Sequence, residues 1–410
     1  MTNEVLQKTA SDEQNVSSSN GLEPSLRFTG FYENWHEKYI KDVADVIGGG
    51  TPDTTKLEYW NGNIQWFTPT EIGHNKYVNK SKRTITEKGL KNSSAKLLPP
   101  KTILLTSRAT IGECSIIEKE CATNQGFQSL VPNSLINNEF CYYLINTKKK
   151  ELLRKASGST FLEISNSEIK QIKCKFPSLL EQQKIATFLS LMDTRIEKQR
   201  QLVESLKKYK RGLFLKLYND SDKSIISFKN IYEMASEGGT PSTSDSENYE
   251  NGKIPFIKID DLNQHYLNFA KYFITEKGLK KSSAWIVPEN SIIYSNGATI
   301  GACSINKIPV TTKQGILGIV PKSNFSVEFL YFFFTSSIFK QKIRAITTKG
   351  TMDCAYLKDI NGIKISIPDF IAQQKIAKIM VDFENLIERT ELSFIYLQNI
   401  KKALLQQMFI

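Results

Sequence analysis

The sequence predicts an α+β fold: two similar mixed α/β domains separated by two long antiparallel helices that form a coiled-coil spacer about a pseudo-twofold internal repeat. Three observations predict it. The chain repeats itself at close to half its length. Each copy holds short apolar runs bounded by turn residues. Each copy then closes on a long proline-free heptad stretch.

The repeat comes first because it fixes the rest. Residues 85–99 read ITEKGLKNSSAKLLP and residues 274–288 read ITEKGLKKSSAWIVP, identical at 11 of 15 positions. The same register pairs Gly49-Gly50-Thr51-Pro52 with Gly238-Gly239-Thr240-Pro241, and Ala109-Thr110-Ile111-Gly112 with Ala298-Thr299-Ile300-Gly301. It also pairs Gln125-Gly126 with Gln314-Gly315, and residues 182–186 with residues 373–377, both QQKIA. Such a period is too long for a solenoid and suits a duplicated domain.

The elements follow in chain order. Residues 1–25 are polar, lack the apolar core of a signal peptide and are expected to be a disordered leader. Residues 26–180 form the first domain, with strands at 64–67, 102–106 and 114–117 and a helix at 139–146. Residues 181–220 form the first spacer helix. Residues 221–371 repeat the domain, with strands at 254–259, 291–294 and 303–305 and a helix at 328–335. Residues 372–410 form the second spacer helix. In the first long helix Ile185, Met192, Gln199, Leu206 and Leu213 take heptad position a, with Phe188, Leu202 and Tyr209 at d. In the second, Ile376, Phe383, Thr390, Leu397 and Leu404 take a, with Ile379, Leu386 and Ile400 at d. Antiparallel pairing brings Gln199 and Thr390 together as one polar layer.

Charge points to the partner. Lys and Arg number 54 against 42 Asp and Glu, a formal charge of +12, which suits a polyanion or an acidic membrane face. The longest apolar run is too short to span a bilayer, so no membrane is expected. The six cysteines show no C-x-x-C pairing and there are three histidines, so neither a disulfide framework nor a zinc site is expected, and a reducing cytoplasm fits. Cys114 and Cys303 are matched by the repeat, sit among apolar strand residues and read as core. No phosphate loop G-x-x-x-x-G-K-[ST] occurs, and no N-P-P-[YFW] or D-P-P-Y tetrapeptide, so no catalytic residue and no cofactor is assigned to this chain.

These motifs, in this order and twice over, resemble the specificity subunits of type I restriction–modification enzymes. The resemblance runs from about Leu26 onward. It rests on G-G-T-P, then A-T-I-G, then a Gly-Ser/Thr element (Ser157-Gly158-Ser159-Thr160 and Lys349-Gly350-Thr351). A strand end at Phe176-Pro177 or Ile367-Pro368 then leads into Q-Q-K-I-A. It implies a subunit whose two domains each read one half of a bipartite, gapped site in double-stranded DNA. It implies two modification subunits that carry S-adenosylmethionine and methylate adenine N6. It implies restriction subunits that use ATP and Mg to move and cut DNA. An autonomous DNA-binding regulator and a structural coiled-coil protein are the rival readings.

Residues that read DNA are sought where the two copies diverge, because unequal heads read unequal bases. In the first copy these are Thr70, His74, Lys76, Tyr77, Ser107 and Arg108, with Thr110 of the shared A-T-I-G segment beside them. In the second they are Asp260, Asn263, Gln264, His265, Ser295 and Asn296, with Thr299 of the same shared segment. Arg suits guanine, Asn or Gln suits adenine, and an acid suits cytosine, which puts Arg108 and Asn296 foremost. An Arg at this place serves equally to cap a strand's carbonyls. Lys76, Lys80, Lys82 and Arg83 suit phosphates, as do Lys258 and Lys271, and phosphates fix position and not sequence; a solvated surface group is the plain alternative for each lysine.

Overall fold

The computed structural model describes residues 6–8, 23–158, 162–262, 264–297, 299–348 and 353–410. Most of the expected leader, and Ser159, Thr160, Asn263, Ala298, Lys349, Gly350 and Thr351, lie outside the described residues. Two compact units result: residues 1–198 with 393–410, and residues 199–392. Each holds one globular head and part of each long helix.

In the first unit a five-stranded sheet runs Ala44–Gly48, Gln128–Pro132, Ile103–Leu105, Cys114–Ile117, Tyr77–Val78. All neighbours are antiparallel except the last pair. A three-stranded sheet joins Cys121–Thr123, Trp60–Phe67 and Arg83–Ile85. Helix Asn138–Thr147 buries Phe140, Cys141, Tyr143, Leu144 and Ile145 in the main core. Cys114 lies in the same core, and burial pushes its thiol up to about 12, as befits an inert packing residue.

The second unit repeats this plan. Its five strands run Tyr232–Glu237, Ile316–Pro321, Ile292–Ser295, Cys303–Asn306, Tyr266–Leu267. Its three are Tyr272–Ile274, Ile254–Ile257 and Thr311–Thr312. In helix Val327–Thr335 every residue from Phe329 to Phe334 is buried.

The two best-preserved sequence motifs pack on each other. A Cβ on Gly50 would lie 2.3 Å from the backbone N of Ala95, and one on Gly239 would lie 2.4 Å from that of Ala284. Only glycine allows the G-G-T-P turn to press so closely against the K-G-L-K-x-S-S-A segment. Trp66 Nε1 donates to the Gly50 carbonyl at 2.9 Å and completes the clasp in the first unit.

The long helices are α1 (Leu179–Asn219) and α2 (Phe370–Met408). They pair antiparallel within each unit. In the first, Asp193 of α1 forms an ion pair with Lys401 of α2. In the second, Gln199 Nε2 donates to the Thr390 carbonyl at 3.0 Å, and Lys210 meets Glu384 at 2.5 Å. The expected a positions face the partner helix, but several of the expected d positions lie at the edge of the seam. Leu202, Ile379 and Leu386 are exposed, whereas Val203, Met380 and Ile387, one residue further on, are buried, and Tyr209, also exposed, lies beside Phe383 of α2 with ring centroids 5.5 Å apart. The seam therefore uses a and the residue four after it. Two adjacent stripes are both rich in apolar residues, and the sequence pattern favoured the wrong one.

Gln182 and Gln373 fix each head to its helix. Each is 1% exposed. Gln182 accepts from the Asn137 backbone N at 2.9 Å and donates to the Pro177 carbonyl at 3.0 Å. Gln373 accepts from Ser326 N at 3.0 Å and donates to Pro368 O at 2.9 Å. This gives the repeated Q-Q-K-I-A a structural use.

Candidate nucleic-acid interface

Strand direction gathers the recurring loops at one end of each head. In the first unit the strands ending at Phe67, Leu105 and Thr123 all run out at this end, and their loops bond to one another. Asn124 N donates to the Phe67 carbonyl at 3.0 Å, and Ser107 N to that of Gly126 at 2.8 Å. Thr51 Oγ1 donates to Gln125 Oε1. Ile164 N donates to Ser107 O at 3.1 Å and brings in the segment that begins at Ser157. The second unit repeats the web. Lys313 N donates to Ile257 O at 3.0 Å, Asn296 N to Gly315 O at 3.0 Å, Gln314 N to Thr240 Oγ1 at 3.3 Å and Ala355 N to Asn296 O at 2.8 Å.

Different side chains stand on this shared frame. In the first head Arg108 Nε lies 2.8 Å from Glu163 Oε1, with the two side chains 44% and 35% exposed. Ala109 follows at φ 58°, a left-handed conformation that costs an alanine about 1 kcal/mol and turns Arg108 and Thr110 outward. In the second head the corresponding bridge joins Gly297 to Cys354, so no ion pair forms there. Thr70, His74 and Thr110 are exposed near this end of the first head, and Asp260, Gln264 and Thr299 are exposed in the second.

Ser107, Ser295 and Asn296 need correction. All three are 0% exposed. Asn296 donates from Nδ2 to Ala355 O at 3.2 Å and offers no atom to a DNA groove. Its backbone and side chain tie loops together, a use that sequence alone does not separate from base reading.

Lys76, Tyr77 and His265 also move, to the contact between head and spacer. Lys76 Nζ donates to Glu139 Oε2 at 3.0 Å, to Tyr143 OH at 3.1 Å and to Ser190 Oγ. It lies over the rings of Tyr143, Tyr77 and Tyr142, and its side chain is only 10% exposed. Burial pulls its ammonium down against Glu139. Tyr77 OH donates to Glu139. Burial alone would raise the Glu139 carboxyl, but Ser190, Tyr77 and Lys76 together hold it below the ordinary carboxylate range.

His265 fills the corresponding place in the second unit, stacked between Tyr266 and Tyr331 with centroids 4.0 Å away on each side. Its Nδ1 lies 2.6 Å from Glu384 Oε2. Burial would raise Glu384 too; His265 and Lys210 outweigh it and hold the carboxyl low. Both nodes are built for attachment, not for reading a groove.

The remaining cations lie elsewhere. Arg83 stacks on Trp60 at 3.5 Å, and Lys258 lies over Tyr272 at 3.4 Å, each against the three-stranded sheet. Stacking orders these cations and leaves their N–H groups available for phosphate oxygens. Lys80 is at the opposite end of the main sheet, in a polar groove with Asn63, Gln65, Asn79 and Lys119. Lys82 is exposed, and its backbone N donates to Glu71 Oε1 at 2.6 Å.

The loop end also holds residues that sequence reading passed over. Gln125 and Gln314 are exposed there in both heads. The repeat flagged them, but a search weighted toward divergent positions passes over these matched ones. Glu163 carried no signal, because only the fold brings it to Arg108. Among the described residues no cluster of His, Cys, Asp and Glu could hold a metal, and no helix is long and apolar enough to cross a membrane.

A family model for the type I restriction modification DNA specificity domain matches residues 32–208 and again residues 221–395. The chain belongs to this family. Its members supply DNA specificity and are not the catalytic subunits. The specificity subunit of the type I restriction enzyme MjaIX of Methanocaldococcus jannaschii is 33% identical over 92% of this chain and 93% of its own length. The EcoR124I/EcoR124II specificity subunit of Escherichia coli is 30% identical over 38% of this chain and 40% of its own. Among solved structures, the type I specificity subunit of M. genitalium covers 95% of this chain and 99% of its own at 20% identity, TM-score 0.54. A chain from a study of type I complex assembly and conformational transition covers 92% and 98% at 14% identity, TM-score 0.63. Both share the fold of this specificity subunit.

Proposed function

We propose that each head of this DNA-specificity subunit reads one half of a bipartite, gapped site through its loop end. The observation that carries this reading is one loop frame holding different groups: the exposed Arg108 braced by Glu163 in the first head, the half-buried Gly297 beside Cys354 in the second. Arg108 addresses guanine in the first half-site, Asp260 a cytosine in the second, and Thr70, Thr110 and Thr299 contribute at the rims. Arg83, Lys82 and Lys258 engage phosphates and set position, whereas Lys80 lies at the opposite end of the main sheet, away from the reading loops.

The paired helices fix the distance between the halves, as half-site spacing is fixed in dimeric repressors. Two modification subunits, holding S-adenosylmethionine, methylate adenine N6 in the site. Restriction subunits, using ATP and Mg, join the same assembly in the cytoplasm. Co-expression with the cognate modification subunit in a methylation-free host tests this. One asymmetric, gapped N6-methyladenine motif that depends on this chain supports it. An assembled complex with no new motif contradicts it and favours an autonomous DNA binder.

A further inference from the structure

We infer that Gln125 and Gln314 are a matched pair of base readers, each taking the edge of an adenine present in both half-sites. This rests on the reading of the loop ends as the DNA-facing surface. Three features of the geometry support it.

The first is position. Both glutamines are exposed at the loop end, at the same place in the frame, in heads whose neighbouring exposed groups differ. A group that stays while Arg108 gives way to Gly297 meets something that stays in the DNA while the rest of the half-site changes.

The second is rigidity. In the first head Asn124 Oδ1 accepts from Gly126 N at 2.9 Å and closes a tight turn under Gln125. A Cβ on Gly126 would lie 2.8 Å from Pro69 Cγ, so this turn is pressed against the next loop. In the second head Gly315, at φ 86°, donates its N–H to Glu237 Oε1 at 2.7 Å. A long flexible amide reads a base well only when its stem is held.

The third is the state of the amide. Gln125 Oε1 accepts from Thr51 Oγ1, which orients the group and leaves one lone pair on Oε1 and both Nε2 hydrogens without a partner among the described residues. The side chain of Gln314 has no hydrogen-bond partner among the described residues, and Thr240 stands beside it on Gln314 N. A carboxamide so held offers a donor and an acceptor side by side. Adenine presents the complement in the major groove: N7 accepts and the N6 amino group donates. The T-x-Q-G and G-G-T-P segments thus have a joint use beyond packing, because the threonine of the second holds the glutamine of the first, by its amide in the first head and by its backbone N in the second.

The test uses the full chain assembled with its modification subunit, on duplexes carrying its mapped site. In one duplex series each adenine is replaced in turn by 7-deazaadenine, which removes the N7 acceptor and keeps base pairing. The wild type should lose roughly ten- to a hundredfold in affinity at one adenine per half-site. Gln125→Ala should lose a similar factor on natural DNA and become indifferent to the analogue in one half. Gln314→Ala should do the same in the other half, both variants keeping the wild-type unfolding midpoint. Equal weakening on cognate and scrambled duplexes would mean a phosphate contact and overturn the inference. So would additive losses from variant and analogue. A wild type that does not distinguish cognate from scrambled DNA overturns the specificity reading itself, and the inference with it.

Discussion

The two head–spacer junctions occupy the same place in the two units and use different chemistry. In the first unit Lys76 enters a cage of tyrosines and meets Glu139, while Asp193 pairs with Lys401. In the second unit His265 enters the cage and meets Glu384, which also holds Lys210. Geometry survived duplication and the ions did not. A partly buried carboxylate needs several hydrogen-bond donors, and either a lysine ammonium or a histidine ring N–H meets that need. The loop ends show the opposite pattern of use: there the frame is shared so that exposed groups are free to differ.

The largest effect is expected at the junctions. Glu384→Ala strands Lys210 and His265 without their common anion and should cost about 2–4 kcal/mol in urea unfolding of the full chain. Lys76→Met should cost about 2 kcal/mol and leave the methylation motif unchanged. A changed motif would return Lys76 to the DNA surface. At the loop end the order reverses. Arg108→Ala should relax one base position in one half-site, by about 1–3 kcal/mol of discrimination, while stability falls by less than about 1 kcal/mol. A motif with all positions intact would remove Arg108 from the reading surface.

A smaller effect comes from acid. Glu384 sits below its unfolded value, so its contribution is present above the ordinary carboxylate range near 4.5 and fades as pH falls through the lower folded value. Glu139 follows the same sign. Stability measured from pH 7 down to pH 3 should therefore fall less steeply in Glu384→Gln than in the wild type. Identical slopes would mean that the junction carboxylate is not coupled to folding. The smallest effect belongs to the outer stripe of α1. Leu202→Ser should stay within about 0.5 kcal/mol, whereas Val203→Ser should cost well above 1 kcal/mol. The reverse ranking would restore the heptad frame that the sequence pattern suggested.

Much of the architecture was legible because the chain repeats. Two copies of Gly-Gly-Thr-Pro and of I-T-E-K-G-L-K mark matched turns and core segments, and their glycines are needed where backbones press together. Strand Cys114–Ile117 and helix Val327–Thr335 lie where apolar runs placed them, to within a residue. The seam of α1 was misread because Leu202 and Val203 are both apolar neighbours, and only packing decides between them. The candidate site was less legible. Arg108 and Asn296 are polar residues of corresponding loops in the two heads, yet Asn296 is sealed and Arg108 is braced in solvent. That difference depends on which distant segment crosses the loop, and the crossing segment begins at Ser157 in one head and Thr348 in the other.

The central claim is that two interchangeable frames carry two independent readings. A chimera tests it most directly, with residues 221–371 replaced by residues 26–180 so that both heads are the first head. Assembled with the modification subunit and mapped for N6-methyladenine, it should methylate a site made of two copies of the first half-site, with the wild-type gap. A motif that keeps the second half-site, or that loses all relation to the first, would contradict the account.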